Sequence, residues 1–243
     1  MHTFPNSSDA FGTLASRDAA AAQLERLEGW LPPMLSVVAG MVDLTGFFTL
    51  GNVFTAHVTG NLVVATAALL GGEPLRVAEV LAIPVFMLAV AAVWLISRAS
   101  GRQSAALVRL LLLVQFVLLL AVLIVGVLAK PSTQPHGLMA GVAAMIAVAA
   151  MACQFALLRL AMPGAISTAV MTGNLTNFVL LSMDLLSKKP GAVNEKSRMV
   201  RTVLLLCGFL CGCAIAALSV RMLADWAWVG PVVLAAVLTL VVA

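Results

Sequence analysis

Apolar residues come in eight long runs separated by short polar breaks. The runs occupy 31–50, 53–70, 77–96, 107–128, 138–158, 165–186, 203–220 and 226–242. Each is close to the roughly 20 residues that a helix needs to cross the hydrocarbon of a bilayer. Gly71-Gly72-Glu73-Pro74 and the stretches 97–104, 130–136 and 187–201 are the clearest breaks. The pattern predicts an all-α polytopic membrane protein. One integral domain covers 31–243, after an N-terminal tail over 1–30.

Two of the runs carry a polar island of the same design. Thr55-Ala56-His57-Val58-Thr59-Gly60-Asn61-Leu62 lies in the second run, and Thr168-Ala169-Val170-Met171-Thr172-Gly173-Asn174-Leu175 lies in the sixth. Both read Thr-x-x-x-Thr-Gly-Asn-Leu. Polar groups cost free energy in hydrocarbon unless paired, and Gly weakens the helix that would carry them. A costly feature that recurs at the same place in each half points to an internal duplication. Repeat 1 covers about 31–128 and repeat 2 about 138–243. Gly51-Asn52 and Pro163-Gly164 are the turns that precede the two motif segments, with Pro163 suited to start the second motif helix.

Basic residues choose between two topologies, because cytoplasmic loops are enriched in Lys and Arg. If all eight runs cross and the N-terminus is cytoplasmic, nine basic residues lie inside and five outside. If the two motif segments enter and leave on the same side, the inside holds eleven: Arg17, Arg26, Arg98, Arg102, Arg109, Arg159, Lys188, Lys189, Lys196, Arg198 and Arg201. Only Arg76, Lys130 and Arg221 then lie outside. The second arrangement is preferred. It gives two inverted repeats, each with three crossings and one re-entrant or broken motif helix. Eight full crossings are the alternative, since 53–70 is nearly long enough to span.

Composition agrees with a membrane protein. The chain is 62% hydrophobic and 10% charged, against about 25% charged in soluble domains. The net charge of +4 comes from loop residues, with no basic stripe that would read as nucleic-acid binding. The tail carries Asp9, Asp18, Glu25 and Glu28 and lacks the apolar core of a secretory signal. It reads as a cytoplasmic tail, either disordered or with an interfacial helix that puts Leu24, Leu27 and Leu31 on one face. Cys153, Cys207, Cys211 and Cys213 lack metal-ligand spacing. Cys207 and Cys211 interleave with Gly208 and Gly212, which reads as close helix packing. Gly137 and Gly141 have the same small-residue spacing.

The candidate chemistry is sparse. Asp43 is the only acidic residue in 31–70, and an intramembrane carboxylate is a functional candidate by default. Burial disfavours its charged form, so proton exchange is chemically reasonable. His57 could share that proton if the first two segments fold back on each other, although Val170 replaces it in the second copy. Thr55, Thr59, Asn61, Thr168, Thr172 and Asn174 offer neutral hydrogen bonds to a solute, or serve as glue between helices. Arg159 reads as an interface anchor or a solute counter-charge. No metal ligand set, nucleotide loop or nucleophile motif appears, so no cofactor and no enzyme activity are expected.

Gly40-Met41-Val42-Asp43, Gly46-Phe47 and Val53-Phe54-Thr55-Ala56-His57-Val58-Thr59-Gly60-Asn61 resemble the YoaK-like family, the domain-of-unknown-function 1275 family. The resemblance runs from about Met34 to Val220, and 168–175 is similar to that family's weaker C-terminal echo. It implies a protein of the bacterial inner membrane, and it implies no substrate. The family often has Gln-Asn before its second motif, whereas here Phe155 follows Gln154, which favours the first half as the site.

The expected function is a secondary transporter or permease for a small polar solute, proton-coupled through Asp43 and His57. An anion suits converging helix N-termini and a protonated Asp43, whereas an ionised Asp43 suits a cation. The alternative is a membrane scaffold or accessory subunit whose motifs only pack helices. The expected partners are the solute, protons, the lipid bilayer and further copies of the chain.

The topology is open to labelling. In a background without native cysteines, single cysteines at Ser100 and Gly191 should react only from the cytoplasmic side, and at Gly72 only from outside. Reaction of Ser100 and Gly191 from opposite sides would select eight crossings instead.

Overall fold

The computed structural model describes residues 7–72, 76–99, 105–187 and 192–242. Glu73, Pro74, Ser100, Arg102, Lys188, Lys189 and Gly191 lie outside the described residues. The described chain is all helix and turn. Its helices are α1 (Ser7–Thr49), α2 (Gly60–Leu70), α3 (Val77–Ala99), α4 (Ala105–Ala129), α5 (Leu138–Ala161), α6 (Met171–Leu186), α7 (Ala192–Leu223) and α8 (Val229–Val242). Tight 3-10 turns, Pro131–Thr133 and Ala224–Trp228, precede α5 and α8.

Most of the apolar runs become long helices, as their length requires. Continuous apolar sequence lets every backbone group bond within its own helix, which is the condition for standing in lipid. The two motif runs do not. An irregular stretch, 50–59, precedes the 11-residue α2, and another, 162–170, precedes the 16-residue α6. At 1.5 Å per residue these helices measure about 16 and 24 Å, short of the roughly 30 Å hydrocarbon core. The N-terminal helix differs from expectation in the other direction. It runs unbroken through the expected boundary at residue 30, and Leu27, Leu31 and Leu35 are all buried along it.

Hydrogen bonds at the helix ends fix the directions. At one end of the bundle, Gly164 N–H donates to Glu28 Oε1 (3.2 Å) and Arg109 donates to the Val242 carbonyl. With Cys153 Sγ also donating to the Leu111 carbonyl (3.3 Å), the level of Glu28 on α1, the end of α5, the start of α4 and the end of α8 share that end. At the other, Trp228 Nε1 donates to Thr49 Oγ1 (3.2 Å) and Ser132 N–H donates to the Asp225 carboxylate (3.0 Å). A cleft lined by Leu50, Arg76 and His136 lies with them. The end of α1 and the start of α3 are thus on the same side, and the segment between them turns back. Next, Ser36 Oγ donates to the Leu205 carbonyl (2.7 Å) and Cys213 Sγ to the Gly40 carbonyl (3.7 Å). Residue numbers rise together along α1 and α7, so the two run parallel. The end of α5 and the start of α7 consequently share a side, and the second motif segment also turns back.

Helix packing is alike in the two halves. The main neighbour of α1 is α7, and that of α3 is α5, so each half's first long helix lies on the other half's third. Over 22–49 α1 is mostly buried, as is α5, while α3 and α7 turn most residues outward. Glycine makes the α1–α7 contact close. A Cβ on Gly40 would strike the Phe209 carbonyl, one on Gly212 the Val37 carbonyl, and one on Gly208 would stand 2.7 Å from the Pro33 carbonyl. This is the small-residue packing expected of the Gly208/Gly212 stripe. The Gly137/Gly141 pair behaves otherwise: Gly137 caps α5, and Gly141 faces open space.

These contrasts predict that Gly212→Ala loses about 2 kcal/mol or more of stability, because backbone must move apart to admit the methyl group. Gly141→Ala should be neutral or gain up to about 1 kcal/mol from helix propensity. Unfolding in detergent micelles would separate the two.

Candidate functional site

The first motif does not form a helix until Gly60, and the reason lies on α1. Leu50 ends the helix, and Gly51 (φ 78°) and Asn52 (φ 63°) take left-handed conformations that reverse the chain. The stretch then runs back along α1 to the level of Asp43, six residues before the end of that helix. One carboxylate oxygen of Asp43 accepts the backbone N–H groups of Thr55 (2.8 Å), Ala56 (2.8 Å) and His57 (3.4 Å). The other lies 2.7 Å from His57 Nδ1. Asp43 is 5% exposed, so these bonds form away from water and stand in for the missing helix. Gly46 completes the seat. A Cβ there would lie 2.9 Å from Thr55 Cγ2.

Asn61 closes the loop from its other end. Its Oδ1 accepts Phe54 N–H and its Nδ2 donates to the Phe54 carbonyl, both at 2.8 Å. One side chain thus satisfies both polar groups of an irregular residue at membrane depth. Gly60 leaves room for the Phe54 ring, whose Cδ2 would be 3.1 Å from an added Cβ. Phe54 in turn packs on Phe47, ring centroids 4.9 Å apart.

The second loop repeats the clip but not the anchor. Asn174 Nδ2 donates to the Ser167 carbonyl (2.8 Å), seven residues back, as in the Asn61–Phe54 pair. Thr168, the counterpart of Thr55, is held by an amide. Gln154 Nε2 donates to Thr168 Oγ1 (3.2 Å) and to the Leu35 carbonyl (3.0 Å), while its Oε1 accepts Gln115 Nε2 (2.7 Å). Gln115 and Gln154 are fully buried, and Gln115 Oε1 has no partner. Val170 stands where the first loop has His57. Phe155 packs near Phe86 instead of adding a polar group.

The expected site residues therefore divide. Asp43, Thr55 and His57 meet as one cluster. Asn61 and Asn174 each serve their own loop, and Thr168 belongs to the glutamine cluster. Thr59 and Thr172 are exposed and take no part in these clamps. The pairs Thr55/Thr59 and Thr168/Thr172 are not one helical turn apart, because α2 and α6 start too late. For the same reason Pro163 opens the irregular stretch and does not start α6. Phe209 links the halves. Its ring meets His57 edge-on, centroids 5.2 Å apart, and it lines a cleft of about 420 Å3 with Thr172. Gln115 and the fully buried Glu79 were missed, although Gln115 is a lone polar residue deep in an apolar run and Glu79 is an acidic residue at the start of one. Arg159 is exposed at the end of α5.

A family model described as "Protein of unknown function (DUF1275)" matches residues 31–241. The chain belongs to the DUF1275 family. Searches of the curated proteins and of the solved structures found no match. In this DUF1275 protein, the residues that carry the family resemblance are those that build the first loop and its seat: Asp43, Gly46, Phe54, Thr55, His57, Gly60 and Asn61.

Removing Asp43 would strand the N–H groups of Thr55 and Ala56, at about 1–3 kcal/mol for each unsatisfied group. Asp43→Ala should accordingly lose about 3 kcal/mol in micelle unfolding. Thr59→Ala and Thr172→Ala should each change stability by less than about 0.5 kcal/mol. An Asp43→Ala protein that unfolds like wild type would show that the carboxylate does not hold the loop.

Proposed function

We propose that this DUF1275 protein is a secondary transporter or permease for a small polar solute, built from two inverted halves and coupled to protons through Asp43 and His57. The observation that carries the reading is the pair of irregular loops that turn back inside the bundle from opposite ends. Non-helical backbone at membrane depth is tolerated where protein covers it or where it lines a path for solute. Inverted halves with broken helices near the midplane are a recurrent transporter design.

The roles follow from the contacts. Asp43 and His57 clamp the first loop through charge-sensitive bonds, so proton exchange there would loosen it. Gln115 and Gln154 clamp the second with neutral groups. Release of either loop would free Thr55, Asn61, Thr168 and Asn174 to bond a solute, with Thr59 and Thr172 already exposed. A protonated Asp43 fits proton–anion symport, and an ionised one fits a cation. The end of the bundle that holds Arg26, Arg98, Arg109 and Arg159 is placed in the cytoplasm of a bacterium, on the charge rule and the family resemblance. No catalytic role is assigned.

A second reading has its own support. Both motif amides bond within their own loops. That is what a membrane scaffold or accessory subunit, alone or as a homo-oligomer, would need from them.

Uptake by proteoliposomes across a panel of small solutes, with an imposed pH gradient, separates the readings. Wild type should accumulate one solute class. Asp43→Asn keeps an acceptor for the loop but cannot titrate, so it should exchange solute and fail to concentrate it. Accumulation by Asp43→Asn equal to wild type would remove Asp43 from coupling. Wild-type vesicles that take up nothing on the panel would favour the scaffold.

A further inference from the structure

Between α3 and α5, beside the turn that follows α1, lies a cleft of about 690 Å3. That volume is in the range of roughly 300 to 1,000 Å3 typical of ligand sites. Its walls are mostly apolar, with Leu81 from α3 and Val142, Met145 and Ile146 from α5. Gly141 lines it too, and nothing stands within 4 Å of where its side chain would begin. From Leu138 to Ile146 the cleft follows α5 for about 12 Å. One leaflet's hydrocarbon is roughly 15 Å deep.

The polar groups gather at one end. Arg76 and His136 stand at the level where α3 and α5 begin, near the membrane surface. Glu79 is fully buried and takes Arg76 NH1 at 3.4 Å. The Asn52 amide oxygen lies 3.3 Å from the same NH1, and a guanidinium has five N–H donors, so the rest of the fork can bond an anion. His136 is exposed. Among the described basic residues at this end of the bundle, which are Arg76, Lys130 and Arg221, Arg76 is the one that lines the cleft.

An apolar trough with a cationic head at membrane-surface level matches an amphiphile lying along the bilayer normal. We propose that the cleft seats one anionic phospholipid of the adjoining leaflet, its phosphate on Arg76 and His136 and an acyl chain along Leu81, Val142 and Ile146. The apolar walls argue against a free phosphate. Leu81 and Leu138 are 44% and 78% exposed on the outer surface, so the cleft opens sideways to lipid and a chain can slide in without leaving the bilayer. Lipid bound here would brace the Gly51 turn and so the root of the first loop. The assignment stands apart from the transport reading.

Native mass spectrometry of the full chain in detergent, titrated with dioleoyl phosphatidylglycerol or dioleoyl phosphatidylcholine, tests it. Wild type should hold one phosphatidylglycerol with about fivefold preference, the factor that one basic group is worth near an anionic headgroup. Gly141→Phe, which fills open space, should lose both lipids. His136→Gln should weaken the preference and keep the binding. Arg76→Gln should abolish the preference if the protein still folds without the Arg76–Glu79 bond, and the other two variants stand without it. Equal binding of the two lipids by wild type, unchanged binding by Gly141→Phe, or displacement by inorganic phosphate alone would each overturn the proposal.

Discussion

Backbone N–H and C=O groups must find partners wherever water is absent, and the rest of this structure depends on how that demand is met at residues 54–57. A helix meets it internally. An irregular stretch needs side chains to do it, and a bilayer supplies no water to help. Asp43 takes the N–H groups of the loop, and Asn61 takes both polar groups of Phe54. These bonds let the chain turn back inside the bundle without crossing it. Loop reversal in turn leaves α1, α3 and α4 in the first half, and α5, α7 and the shorter α8 with its 3-10 turn in the second. The end of α1 and the start of α3 therefore share one end of the bundle, and the end of α5 and the start of α7 share the other.

The two halves meet the same demand with different chemistry. The first uses a carboxylate and an imidazole, whose bonds depend on protonation. The second uses Gln154, Gln115 and Thr168, which are neutral at every physiological pH. Of the two clamps, only the first contains ionisable side chains. The halves touch through Phe209, which meets His57 and lines the cleft that holds Thr172. Each half's first helix also leans on the other half's third, and the α1–α7 contact is close only because Gly40, Gly208 and Gly212 carry no side chain.

Much of the fold was legible because lipid imposes simple rules. Apolar run length marked the long helices, and the uneven spread of Lys and Arg pointed to loops that turn back. Asp43 and His57 were legible as a pair because a lone carboxylate in hydrocarbon demands a partner. The interior of the motif was not. Thr-x-x-x-Thr reads as helical spacing, and nothing local says that Thr55 N–H will go to a carboxylate twelve residues earlier. The fit of Asn61 to Phe54 was hidden for the same reason, since an amide suits many partners and geometry picks one. Gly141 shared the spacing of a packing glycine and turned out to face a cleft, because spacing cannot say what stands opposite. Gln115 was readable by the rule that singled out Asp43, a lone polar residue in an apolar run, but its partner lies on another helix.

The central claim is that residues 53–58 sit inside the bundle, with 54–57 bonded to side chains, and not in the headgroup layer. Hydrogen–deuterium exchange of the protein in lipid nanodiscs, followed by mass spectrometry of peptides over this stretch, tests that directly. The account predicts protection close to that of α1, with fast exchange restored over 54–57 in Asp43→Ala. Rapid exchange of the wild-type stretch, at the rate of a surface loop, would contradict it.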